Sequence, residues 1–160
     1  MKSYRNKYSL TFAIVIFLIG CSSSEKMNSD IQIRMTKHQV DAWLNMMPGT
    51  SPGTFHLAGE ITFENNGTVE LDSLTLTKVI VFADSEEVYA FKPVFKTKIT
   101  GEDLSLSPGI SKEFSFGTEK GLKINEKLIN NKMIDLKLEL ETKQGMQNFR
   151  INNVKVERAY

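Results

Sequence analysis

From residue 55 onward, apolar and polar positions alternate along most of the chain. Phe55, Leu57, Gly59, Ile61 and Phe63 share one phase, and His56, Ala58, Glu60, Thr62 and Glu64 share the other. Successive side chains of an extended chain point to opposite faces, so this alternation predicts a half-buried strand. Asn65-Asn66-Gly67 supplies a turn, because Asn and Gly tolerate positive φ. Residues 71–82 predict a long second strand. Leu74, Leu76, Ile80 and Phe82 keep one phase there, and Val79 and Val81 make the other face apolar too, as expected of a strand covered on both sides. Between 88 and 98, Tyr89, Phe91, Phe95 and Thr97 stay in phase, but Pro93 confines the stretch to a sheet edge or a kink. Leu104 and Leu106 run into the Pro108-Gly109 turn, and Phe114 and Phe116 mark the next strand. The cleanest alternation is Ile134, Leu136, Leu138 and Leu140 against Asp135, Lys137, Glu139 and Glu141. Phe149, Ile151, Val154 and Val156 predict a last strand, with a phase slip at Asn152-Asn153 that reads as a β-bulge.

Two stretches depart from that period. Ile31, Ile33 and Met35 alternate with polar residues and predict a short first strand. Val40, Trp43, Leu44 and Met47 then fall at i, i+3, i+4 and i+7, which predicts one short N-terminal helix. Thr36 and Gln39 supply a capping box for it, and Pro48-Gly49 ends it. The alternative is an irregular extended segment in which Trp43 plugs one end of the core. Residues 117–131 read as loop with a helical turn near 126–129.

The sum is seven or eight strands with turn chemistry between them and almost no helix, the pattern of an all-β, antiparallel β-sandwich. The Asn-Asn-Gly turn and the Leu-Ser-Pro-Gly before Phe114-Ser115-Phe116 resemble features of immunoglobulin-like and fibronectin-III-like bacterial domains. This immunoglobulin-like resemblance covers most of residues 55–156, on generic turn-and-strand signals and without a Cys…Trp…Cys spacing. A closed barrel is the rival architecture.

The first twenty residues differ from all of this. Lys2, Arg5 and Lys7 form a basic start, residues 10–19 are an apolar run too short to span a membrane, and no acidic residue precedes Cys21. Leu18-Ile19-Gly20-Cys21 resembles a bacterial lipobox. The resemblance implies that residues 1–20 are a lipoprotein signal peptide, that the Cys21 thiol carries a diacylglycerol (with palmitate-type chains), and that residues 21–30 are a lipidated, serine-rich tether. The alternative is an uncleaved N-terminal anchor. Residues 31–160 then form a single domain, held to a membrane by acyl chains. Ser22 after the cysteine favours the outer membrane, if the cell is Gram-negative.

Loss of the leader's three positive charges takes the formal net charge from +1 to −2. A nearly neutral domain lacks the basic stripe that nucleic acid demands. Cys21 is the only cysteine, so once it is acylated there is neither a disulfide nor a thiolate metal site. No nucleophile–base pair or phosphate cradle is recognisable, which argues against an enzyme, and no cofactor is implied. Asp135, Glu139 and Glu141 read as a solvated strand face. His38, Met46, Met47 and His56 are the candidate ligands of an alternative reading, a small-ligand or copper carrier, because thioether and imidazole suit Cu(I). Pro48, Gly49, Pro52 and Gly53 lie in a candidate contact loop. The expected function is that of a membrane-anchored, extracytoplasmic, non-catalytic binding or structural module. Its candidate partners, besides the membrane, are an envelope protein or glycan.

Overall fold

The computed structural model describes residues 32–47, 53–99 and 103–160. Nine strands and one short helix follow in order: β1 Ile33–Asn45, β2 Thr54–Asn65, β3 Thr75–Ala83, β4 Glu86–Phe91, β5 Val94–Thr97, β6 Ser111–Gly117, β7 Leu122–Lys123, α1 Glu126–Asn130, β8 Met133–Thr142 and β9 Gly145–Ala159. The all-β expectation is met. The buried faces of β2 and β8 are those the alternation predicts, and the turn of helix falls where it was expected.

The antiparallel sandwich is corrected. The strands form one mixed sheet in the order β4-β3-β8-β9-β1-β2-β6-β5, with β7 added to β2. The reason is β9. Asn152 and Asn153 together oppose Asp135 alone, Asn153 takes φ 59°, and its N–H donates to the Asp135 carboxylate at 2.8 Å. Beyond this bulge Val154 and Lys155 still oppose Ile134 and Met133 on β8, and the strand then pairs in parallel with β1, from Ala42↔Val156 to Asn45↔Ala159. Bulges let a strand pass from one layer to another, and here the passage joins what would be two sheets into one.

The sheet curls into a half-barrel. β2 and β4 lie five places apart in the strand order, about 24 Å in a flat sheet at strand spacing. Yet the rings of Phe55 and Tyr89 stack with centroids 5.1 Å apart, and those of Phe63 and Phe149 lie 5.0 Å apart. β4 and β5, the two ends of the order, are joined by Lys92 and Pro93 alone. Pro93 therefore sits at the break between two edge strands, where its missing N–H costs no ladder bond. The core fills the concave side, with Phe55, Phe63, Phe114, Leu44, Leu71 and Leu128 fully buried.

The N-terminal helix is also corrected. Residues 36–45 belong to β1, which pairs with β2 from Ile33↔Asn65 to Asn45↔Thr54. A twelve-pair ladder overrides a weak helical period. Thr36 caps nothing: it is the extra residue where the register shifts between Met35 and Lys37, and its hydroxyl donates to the Thr62 carbonyl. The bulge also puts Ile33 and Met35 in one phase and Val40, Ala42 and Leu44 in the other, which hides the strand's alternation. Trp43 lies on the convex face and does not plug the core.

Candidate functional site

The convex face can be laid out from the registers. Glu157 on β9, Trp43 on β1 and His56 on β2 stand side by side across three strands. Trp43 and His56 stack with centroids 5.2 Å apart and planes 8° from parallel, a favourable aromatic arrangement. His56 Nε2 lies 2.9 Å from the Thr54 hydroxyl. Gly121 closes over the pair: a Cβ there would fall 2.5 Å from Thr54 Cβ and 2.7 Å from His56 Nε2, so only glycine admits the approach. Further along the face, Lys98 bonds to Glu60 at 2.9 Å and to Glu113 at 3.1 Å. These two carboxylates hold the Lys98 ammonium above its ordinary pKa.

A cleft of about 300 Å³ opens on the β9 side of Trp43, where β1 and β9 begin to pair. Asp41, Trp43, Lys155, Glu157 and Arg158 line it. Lys155 and Glu157 pair at 3.2 Å, and the Arg158 guanidinium donates to the Ile129 carbonyl. Among the described residues, neither the Asp41 carboxylate nor the Trp43 indole N–H has a hydrogen-bond partner. A wider groove of about 590 Å³ crosses the convex side of β3 and β8 past Thr77, Glu139 and Lys143. It has no aromatic wall, and Lys137–Glu139 and Lys143–Asp72 pair there at 2.9 and 2.7 Å.

The proposed copper ligands do not gather. His38 opposes Ile61, five ladder positions from the Trp43–His56 pair, or about 17 Å along the strand. His56 is engaged with Trp43 and Thr54. Met46 and Met47 follow β1 and are 36% and 49% exposed. Met46 N–H donates to the Ala159 carbonyl, which brings it beside Tyr160, itself 74% exposed. In the contact loop, Pro48, Gly49 and Pro52 lie outside the described residues, as does Cys21. Gly53 has a structural task, since a Cβ there would lie 2.4 Å from the Asn45 carbonyl oxygen.

Two other groups titrate away from their ordinary values, both for structural reasons. Burial raises the Tyr89 phenol, against a smaller opposing effect of its hydrogen bond from the Asn125 N–H. Hydrogen bonds from Ser105 and then Lys112 lower the Asp103 carboxyl. Asp41, Lys155, Glu157 and Arg158 went unnoticed in the sequence. The available signal was Trp43, an apolar residue in the outward phase of a strand.

No family model matches the chain, and no curated protein matches it. Among solved structures, it is similar to the X-ray structure of Northeast Structural Genomics Consortium target SoR45. The TM-score is 0.39 at 12% identity, over 78% of this chain and 82% of that one. It is also similar to the secreted serine protease VesC from Vibrio cholerae, with TM-score 0.34 and 19% identity over 80% of this chain. The match spans 23% of VesC. Likenesses at these scores carry nothing about activity.

Proposed function

We propose that the chain is a lipid-anchored, extracytoplasmic binding or structural module of a bacterial envelope, without catalytic activity of its own. Leu18-Ile19-Gly20-Cys21, behind a basic start and a short apolar run, carries this reading. Two acyl chains hold a protein firmly where one holds it marginally. The geometry of β1 supports the same picture. Ile33 begins the strand twelve residues after Cys21, so an extended tether reaches about 40 Å at most. Trp43 stands ten residues further on, about 33 Å along β1. Tether and cleft thus lie toward opposite ends of one strand, which leaves half-buried Trp43 and exposed Met46, Met47 and Tyr160 at the end remote from the attachment point. An exposed apolar group at that end suits contact with a partner.

Metabolic labelling with an alkyne fatty acid, followed by membrane fractionation, tests the anchor. The wild-type chain is expected to take up label and to sediment with membranes, and Cys21→Ser to lose both properties. An unlabelled wild-type chain whose Cys21→Ser variant still sediments would refute the reading.

A further inference from the structure

We propose that the cleft beside Trp43 is a subsite for a neutral pyranose unit of a glycan chain. This deepens the module reading and rests on it, by naming the partner's chemistry. The indole stands on the convex face, with His56 on its β2 side and the cleft on its β9 side. One face of a pyranose presents C–H groups of partial positive charge, which suit the negative face of an aromatic ring. Its rim presents hydroxyls, each both donor and acceptor, and needs both kinds of partner at once. The cleft offers both. Asp41 and Glu157 accept, and the Trp43 N–H and Lys155 donate; Arg158 opposes core-facing Leu44 and turns its guanidinium to the Ile129 carbonyl on the other side of the sheet. The indole N–H and the Asp41 carboxylate are unspent among the described residues.

Charge selects among ligands. The charged side chains on the Trp43 face of the cleft, Asp41, Glu157 and Lys155, carry one net negative charge. An anionic glycan would meet net repulsion there, whereas an uncharged polyhydroxylated ligand pays no such penalty. The volume, about 300 Å³, lies at the small end of ligand sites and suits a short stretch of glycan. The position, away from the tethered end, leaves room for a long chain to pass.

The chain has one tryptophan, so its fluorescence reports on the cleft directly. The full chain, held in a polyoxyethylene detergent free of sugar headgroups, is titrated with dextran, mannan, a β-glucan, galactan and N-acetylchitohexaose. At least one is expected to shift the emission saturably. By calorimetry, Trp43→Leu should weaken that binding by about tenfold or more and Asp41→Ala by about fivefold. The thermal midpoint of Asp41→Ala, a surface change, guards against misfolding. Absence of binding by every glycan up to about 10 mM sugar, weaker than ordinary ligand affinities, would overturn the proposal. Unchanged affinity in both variants would do the same, as would tighter binding of a polyanionic glycan such as alginate. None of these results depends on the lipid, so the membrane partition of Cys21→Ser separates failure of this subsite from failure of the anchored-module reading.

Discussion

Asn65 offers a sharp test of how the open end of the sheet is held. The residue closes β2 and is fully buried. Its amide nitrogen donates to the Val69 carbonyl at 2.8 Å and to the Leu106 carbonyl at 2.9 Å, and its amide oxygen accepts from the Gly67 N–H at 3.0 Å. Asn65→Asp keeps the shape and the Gly67 bond but turns a donor into an acceptor facing two carbonyl oxygens. Two lost hydrogen bonds amount to about 2 kcal/mol, and burial of an unpaired carboxylate adds to that until the group takes up a proton. At pH 7 we expect a loss of about 3 kcal/mol or more in urea unfolding followed by circular dichroism. The sign of the pH dependence follows. The introduced carboxyl has a folded-state pKa above its unfolded value of about 3.9, so the charge penalty is absent below that value and grows as pH rises through the folded pKa. The deficit at pH 4.5 should therefore be smaller than at pH 7. A variant within about 0.5 kcal/mol of wild type at pH 7, or a deficit indifferent to pH, would refute the assigned network.

Further outcomes can be checked on the same samples. Leu138 is fully buried between Val79 on β3 and Phe149 on β9, so Leu138→Ala should cost about 2–5 kcal/mol. Glu139→Ala, which breaks only the partly exposed pair with Lys137, should stay within about 1 kcal/mol; equal losses in urea titrations would overturn the phase of β8. The Tyr89 phenol is held above its ordinary pKa, so its contribution to stability is intact below pH 10 and falls as pH rises through the folded value. Tyr89→Phe should flatten that alkaline decline in unfolding experiments, and an unchanged slope would count against the buried contact. Because His38 and His56 stand apart, Cu(I) at modest excess should leave the thermal midpoint nearly unmoved. A strong upward shift that Met46→Leu abolishes would revive the carrier reading.

Much of the fold was legible because most strands bury one face only. In β2 and β8 the alternation gives the core side residue by residue, and Pro93 marks the break between β4 and β5. The slip at Asn152-Asn153 gave the bulge as well. Its consequence was hidden, since a bulge announces a bend and not the strand it bends toward. The parallel β1–β9 pair joins residues more than a hundred positions apart, and no local pattern specifies it. The candidate site was hidden for the same reason: Asp41 and Trp43 meet Lys155, Glu157 and Arg158 only through that pair.

The misreading of β1 as a helix points back to the same place. A strand with one buried face would have shown Val40, Ala42 and Leu44 against polar neighbours, a period of two. The period of 3.6 arose because Trp43 adds an apolar residue on the other face, beside Leu44, while Met47 falls beyond the strand's end. Remove Trp43 from the pattern and the helix disappears. An indole left half-buried on the outer face of a strand forgoes part of the stabilisation that full burial would bring, recovering some of it by stacking on His56. Folding alone gives little reason for that placement, because the core of this sheet is already closed by phenylalanines from β2 and β6. A contact made by the side of the ring away from His56 gives a reason, and it is the side on which the cleft opens.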